Sequence, residues 1–303
     1  MSFAKINVPI NDKINKPLWF VILAFMSIEF LVLVRFAPLH TAKIFSIHLP
    51  EFHIWWTFLV FQAGFWGYCL YTTVQWWCKL RQQYRVGWVL IIRRLLLFVV
   101  ILVSTLFKFH FEFSEPEFRF VNLWGLTTLG FVTAAVAVQG MWVVEAVLFH
   151  GSDNAKVPNI TDFIYWRDCL DRFLLVASCI LGLGIISVAT LRNFSWALGK
   201  QKDFPNEYVV LFGGLYSILL ALAYAPVYLA FQRKGAEITD FLLQELEKKM
   251  DPPCFRSIEK WAAHKSKLED ILRLRFRNWA SLGPGLSILA PLVIAVVSRI
   301  LAK

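Results

Sequence analysis

The stretch from Phe173 to Leu191, FLLVASCILGLGIISVATL, contains no charged side chain and decides the fold. A helix needs about 20 apolar residues to cross the hydrocarbon core of a bilayer, so this stretch predicts a membrane span. Other stretches along the chain have a similar length and apolar character. Together they give six predicted spans: about Leu18–Phe36, Ile54–Trp77, Gly87–Phe107, Leu123–Phe149, Phe173–Leu191 and Tyr208–Phe231.

The composition of the chain agrees with this pattern. Of 303 residues, 58% are hydrophobic and 17% are charged, whereas soluble domains contain about 45–50% apolar and about 25% charged residues. Such a chain has too few polar groups to face water on all sides, which argues against a water-soluble enzyme. We predict an all-α, polytopic helical membrane protein. It divides into a cytoplasmic segment 1–17, a six-span domain 18–231 and a helical cytoplasmic region 232–303.

The basic residues predict how the spans are oriented. If all six spans cross, 22 Lys and Arg lie on one side, in regions 1–16, 79–94, 150–172 and 232–280. Six lie on the opposite side, in regions 37–53, 108–121 and 192–207. Because cytoplasmic loops carry the excess of Lys and Arg, the split predicts a multi-pass inner-membrane protein with both termini in the cytoplasm. The first apolar run continues into Glu29 and Arg35, so it is interpreted as a retained span.

The region after residue 232 is more polar and predicts two helices. Ala236–Lys249 and Phe255–Ala280 both have apolar residues near helical spacing. Asp251-Pro252-Pro253 is expected to end the first of these helices, and Gly283-Pro284-Gly285 is expected to interrupt helical structure again.

The final apolar stretch, 286–302, is at the short limit for a span. A crossing would carry Arg299 and Lys303 outside, so we expect a packed or re-entrant segment. A seventh crossing stays open as the alternative.

Polar side chains also occur within the predicted spans, where they are costly unless they face protein or water. They are Glu29, Gln62, Gln75, Gln139 and Glu145. Hydrogen bonds between helices would account for them, and so would a hydrated pathway that they line. Both interpretations stay open. Pro226 in the sixth span is expected to kink that helix.

Basic residues near the cytoplasmic ends of the spans admit two interpretations. The first is topology, reinforced by contact with anionic lipid. The second is an anionic ligand, such as a nucleotide or short oligonucleotide, held by basic side chains and stacked on Trp261 or Trp279. The candidate residues are Lys79, Arg81, Arg85, Arg256, Lys260, His264 and Lys267.

Motifs of known chemistry are absent from the sequence. Its six histidines form neither H-x-x-x-H nor H-E-x-x-H, and there is no G-x-S-x-G turn or Walker A loop. The five cysteines have no C-x-x-C spacing, so neither a disulfide framework nor a zinc site is predicted. We expect no metal, no cofactor and no enzymatic activity. A lipid-modifying enzyme stays as a third class, and it would need a reactive cluster that the sequence does not show.

Two further features receive structural interpretations. The acidic run Asp162, Asp168 and Asp171 is interpreted as a solvated loop and helix entry, with Trp166 at the membrane interface. Most tryptophans near span ends, Trp55 among them, are expected to anchor at the headgroup level.

The basic start MSFAKINVPINDKINK, the six spans and the basic-aromatic tail FRSIEKWAAHKSKLEDILRLRFRNW (255–279) together suggest a resemblance. In overall layout the chain resembles multi-span bacterial membrane effectors of antiviral defence. The resemblance implies a homo-oligomeric channel or membrane-disrupting effector, gated from the cytoplasm by a nucleotide-type ligand. The alternative is a membrane-anchored scaffold whose C-terminal helices dock a soluble partner.

Overall fold

The computed structural model describes residues 50–84, 121–150, 160–197, 205–249, 258–272 and 279–301. Within these ranges every residue is helical except Pro205 and Leu272. The predicted all-α fold is therefore confirmed for the described part of the chain, and the first and third predicted spans lie outside it. The helices are α1 (Pro50–Tyr84), α2 (Val121–His150), α3 (Ile160–Ala197), α4 (Asn206–Lys249), α5 (Ile258–Ile271) and α6 (Trp279–Leu301).

Ring contacts show how α1 and α3 are arranged. Trp55 stacks on Phe194 with ring centroids 5.7 Å apart, and Trp76 meets Phe173 edge-on at 6.0 Å. Residue numbers rise along α1 as they fall along α3, so the two helices are antiparallel.

Helix α2 runs parallel to α1. Gly130 lies against Trp66, and ten residues later Gly140 lies against Phe173, the same ring that meets Trp76. Because α1 and α2 are parallel, the last residue of α1 and the first residue of α2 lie at opposite ends of the bundle. The connection between α1 and α2 therefore joins opposite ends.

Helix α4 completes the main bundle. It is antiparallel to α3, because Phe231 packs on Phe163 with ring centroids 5.2 Å apart while Val209 belongs to the cluster around Ile185. It is parallel to α2, since Phe131 meets Tyr216 at 6.0 Å and the Trp142 indole donates to the Ala223 carbonyl at 3.3 Å. The buried cluster that contains Phe163 and Trp166 of α3 also includes Ile238, which lies beyond the apolar part of α4.

Helix α2 is the centre of the bundle. Its residues from Thr133 to Leu148 are almost all buried, and it contacts α1, α3 and α4. Small residues allow this close approach: a Cβ added at Gly140 would lie 2.5 Å from the Phe173 ring. Small residues at helix contacts let the backbones approach closely.

Helix α4 is continuous for 44 residues and includes Pro226. It also crosses the predicted boundary between residues 231 and 232, so the predicted helix Ala236–Lys249 is its last part. The predicted kink at Pro226 lies within this continuous helix. The Trp142 indole of α2 donates to the Ala223 carbonyl, three residues before the proline.

The remaining tail predictions need correction. Helix α5 ends at Ile271 instead of near Ala280, and residues 273–278 lie outside the described part of the chain. Helix α6 starts at Trp279 and runs through Gly283-Pro284-Gly285, which was expected to interrupt the chain. Pro284 falls in the second turn, where it removes one backbone hydrogen bond, and neighbouring helices can compensate for such a loss.

Three described helices are long and apolar enough to cross a membrane: Gly130–Phe149 in α2, Ile160–Ala197 (α3), and Glu207–Lys248 in α4. The apolar part of α6, Pro284–Ile300, is shorter. Helix α1 is not among the three. Its tryptophans, tyrosines and glutamines make it less apolar than α2.

Candidate functional site

The polar residues predicted within the spans lie in different environments. Gln62 is buried on α1, and its amide oxygen accepts a hydrogen bond from the Ser187 hydroxyl on α3. Gln139 and Glu145 are buried on α2, whereas Gln75 is half-buried on α1. Glu29 lies outside the described residues. The Gln62 contact is the interhelical hydrogen bond that was one of the two interpretations.

The four described residues of this set do not share a face on either helix. Gln139 and Glu145 are six residues apart, which places them about 120° apart around α2 at 3.6 residues per turn. Gln62 and Gln75 are 13 residues apart, which places them about 140° apart around α1. Neither described pair therefore lines one face of its helix.

A second set of polar contacts surrounds α6 and was missed from the sequence. Pro291 has no N–H group, so the carbonyl of Ser287, four residues earlier, lacks its usual helical donor. The Ser178 hydroxyl of α3 donates to that carbonyl at 2.5 Å. On the other side, the Leu292 N–H donates to the Ser217 hydroxyl of α4 at 3.3 Å. Neighbouring helices thus support the backbone around the proline.

One end of the bundle carries most of the described charged side chains. We call it the charged end: α1 and α2 finish there, α3 begins there, and α4 continues into Arg233, Lys234 and Glu237. Helix α5 packs on α4 at this end, where Lys265 Nζ lies 3.7 Å from an Asp240 carboxylate oxygen. Lys265 also lies over the Trp261 ring, 5.0 Å from its centroid.

Arg167 connects α3 to α5 at the charged end. Its side chain is 7% exposed, and its guanidinium donates to the Leu272 carbonyl at 3.2 Å. Leu272 directly follows α5, and a cation at a helix C-terminus satisfies carbonyls that have no helical donor. Arg167 therefore ties the end of α5 to the bundle.

This arrangement corrects the predicted loop around Arg167. Helix α3 begins at Ile160, so Asp162, Asp168 and Asp171 are helical, and Trp166 is buried instead of at a membrane interface. The first turns of α3 are held by packing of Phe163 on α4, which local charge does not reveal. Trp55 is likewise a buried stacking partner and does not fit the predicted anchor role.

Two tyrosines and a glutamine interact with one another where the apolar part of α4 meets its charged part. The Tyr224 and Tyr228 rings stack with centroids 5.7 Å apart, and the Gln232 amide donates to the Tyr228 hydroxyl at 2.7 Å.

The predicted basic set is placed only in part. Lys79 and Lys267 are exposed, and His264 is half-buried. Arg85 and Arg256 lie outside the described residues, as do the side chains of Arg81 and Lys260. Lys79 belongs to α1, which packs on α2 and α3, whereas α5 packs on α4. The described helices thus do not join the set into one pocket.

Comparison with protein-family models, curated proteins and solved structures found no match. Within the described ranges, no group of three or more His, Cys, Asp or Glu is placed to hold a metal ion.

Proposed function

We propose that this protein is a polytopic protein of the cell inner membrane, and that it acts as a homo-oligomeric channel or membrane-disrupting effector gated from the cytoplasm. Three long apolar helices and the one-sided distribution of Lys and Arg support the membrane assignment. The parallel arrangement of α1 and α2 supports a further span between them, which is where the third predicted span falls. The charged end would face the cytoplasm.

The proposal favours a conducting path between copies over one inside a single chain. Gln62 is engaged with Ser187, and the buried polar residues of α2 lie on different faces. A pore around a symmetry axis needs no lined path within the monomer.

The observation that carries the gating proposal is the bond from Arg167 to the Leu272 carbonyl. Helix α5 is the most polar described helix, and α3 extends from the charged end to the opposite end of the bundle. A ligand that shifts α5 would move the start of α3 through this bond. The nucleotide-type ligand follows from the resemblance in layout, and exposed Lys79 and Lys267 at the same end do not by themselves form a pocket for it.

Potassium efflux from sealed proteoliposomes tests the proposal. Purified protein is measured alone and with cyclic mononucleotides, cyclic dinucleotides or short oligoadenylates. We expect one of these to raise efflux about 5- to 150-fold, the usual range of allosteric coupling. Arg167→Met should remove the response. Arg172→Met is the matched control, because Arg172 is exposed on the same helix. A folded protein that conducts under none of these additions would contradict the proposal.

One observation favours the scaffold as second candidate. Trp261 is 39% exposed on α5, with Lys265 over its ring, and an exposed tryptophan on a polar helix suits a docking surface. The efflux measurement separates the two functions, because a scaffold should conduct no ions under any of the additions. Trp261→Ala should weaken binding of a soluble partner only in the second case.

A further inference from the structure

We infer that α6 is itself a membrane crossing, that its exposed apolar side chains contact lipid acyl chains, and that the chain emerges from α6 on the side of Glu207. The inference rests on the proposed membrane embedding but not on gating or conduction. It favours the alternative that the sequence pattern left open, a seventh crossing.

The contacts of α6 place it alongside α3 and α4. It runs parallel to α3, since Ser287 lies beside Ser178 and Ile294 beside Gly182. It runs antiparallel to α4, since Leu292 lies beside Ser217, and Arg299 lies 3.9 Å from Glu207 at the start of α4. Helix α6 therefore ends at the opposite end of the bundle from Arg167 and α5.

The length of α6 suits a crossing. At 1.5 Å per residue its 23 residues extend about 34 Å, against about 30 Å for the hydrocarbon core. Its apolar part, Pro284–Ile300, extends about 25 Å, which is at the short limit for a span. A re-entrant segment has to turn back within the membrane, whereas the described helix is continuous from Trp279 to Leu301.

The backbone bonds around Pro291 also indicate a site without water. In water, a carbonyl freed by proline is satisfied by solvent. Here the Ser287 carbonyl and the Leu292 N–H are each satisfied by a serine hydroxyl from a different neighbouring helix. Side chains that re-satisfy a proline-broken backbone are characteristic of helices within the bilayer.

Lipid is the occupant that the exposed surface fits. The outward side of α6 carries the exposed residues Leu286, Leu289, Val293, Val297 and Ile300. Helix α4, which packs on α6, exposes Leu211, Ile218, Leu222 and Leu229.

The exposed apolar residues of α4 form a band of defined height. Leu211 and Leu229 are 18 residues apart, about 27 Å, which is close to the thickness of the hydrocarbon core. Beyond the band, the exposed residues of α4 include Arg233, Glu237 and Asp240, and exposed Phe241 and Leu246 follow them at the charged end. A band of this height with charged residues beyond it matches acyl chains and headgroups.

The cost of placing Arg299 at the far side is small. Arg299 is exposed and lies next to Glu207, so its charge stays at the membrane surface. The excess of Lys and Arg on the cytoplasmic side is counted over all loops together, so a single basic residue such as Arg299 on the opposite side is compatible with it.

Thiol labelling tests which side the chain reaches. In a cysteine-free background, Glu207→Cys, Lys248→Cys and Lys303→Cys are each treated with a membrane-impermeant maleimide in intact spheroplasts and after lysis. We expect the maleimide to label residues 207 and 303 to the same extent in intact spheroplasts. Residue 248 should differ from them by about tenfold, since a charged reagent does not cross the bilayer. If residue 303 behaves like residue 248, the crossing is refuted. Equal labelling of all three in sealed cells would refute the embedding itself, whatever efflux shows.

A spin label at Val293→Cys tests the lipid contact, with exposed Lys267→Cys on α5 as the control that faces water. We expect oxygen to relax the label at residue 293 more than a water-soluble nickel complex does, and we expect the reverse at residue 267. Dipolar broadening at residue 293 in fully labelled protein would show a second copy on this surface and would overturn the lipid assignment. Greater relaxation by the nickel complex would overturn it as well.

Discussion

Helices α2 and α6 are both apolar, yet they meet their surroundings in opposite ways. Helix α2 is enclosed by α1, α3 and α4, and glycines bring its backbone against Trp66 and Phe173. Helix α6 is held on one side by α3 and α4, while its other side exposes branched side chains. An all-round apolar helix belongs in a protein interior, and a helix with a single packed face belongs at its boundary. The four substitutions below test this difference.

The largest effect is expected at the centre. Gly140→Leu would drive a side chain into the Phe173 ring, which is itself fully buried. We expect a loss of about 3 kcal/mol or failure to assemble, at the upper end for overpacked cores. Gly184→Leu is the matched control, because a Cβ at Gly184 meets nothing within 4 Å. Thermal unfolding in detergent measures both. Equal stability of the two variants would contradict the enclosed position of α2.

The inner face of α6 is expected to be almost as sensitive. A Cβ at Gly213 would lie 2.5 Å from the Ala295 Cβ and 2.9 Å from the Pro291 carbonyl oxygen, which is backbone and cannot rotate away. Gly213→Ala should cost about 2 kcal/mol. Its neighbour Gly214 faces open space, so Gly214→Ala should be neutral or better. If the two alanine variants unfold at the same temperature, α6 does not pack on α4 as described.

A smaller loss is expected from a serine that supports the proline of α6. Ser178→Ala removes the donor to the Ser287 carbonyl and leaves that group unsatisfied, at about 1–2 kcal/mol. Thr190→Val is the control, because the Thr190 hydroxyl only bonds back to carbonyls of its own helix. We expect Ser178→Ala to lose more stability than Thr190→Val, both in detergent and in lipid nanodiscs. A larger loss for Thr190→Val would indicate that the serine contact is not structural.

The smallest effect is expected on the outer surface. Leu222 is 67% exposed on α4, and Leu222→Ala should change stability in nanodiscs by less than about 0.5 kcal/mol. Buried Met141→Ala on α2 is the comparison, and it should cost about 2–5 kcal/mol because it leaves a cavity. A loss of similar size at both positions would mean that Leu222 is covered by protein.

The sequence predicts the apolar helices better than their contacts. Four of the predicted spans fall within helices α1 to α4, and three of these helices, α2, α3 and α4, are long and apolar enough to cross a membrane. The start of α3 was missed, since Asp162, Arg167 and Asp168 give a local composition typical of a loop. Their helix is held by Phe163, which packs on Phe231 of α4, and packing between distant segments leaves no local pattern.

The candidate site was predictable only as a set of residue types. Gln62 was singled out as a polar residue in a span, and it is buried, but its partner Ser187 follows from the register of two helices far apart in sequence. Arg167 was assigned to a solvated run, because nothing local marks a guanidinium that caps another helix. Pro291 was visible, whereas the serines that support it lie on two other helices.

The length of α4 has a consequence for how the chain tolerates change. The helix extends about 66 Å without a break, meeting Arg299 near its first turn and Lys265 at Asp240. Inserting one residue between Ser217 and Asp240 would rotate everything beyond it by about 100° and advance it by about 1.5 Å. The contacts with α5 and α6 would then no longer share a register. The length of helix α4 thus fixes the relative position of its contacts with α5 and α6. An insertion of seven residues, about two turns, would return the faces of the helix to nearly the same orientation.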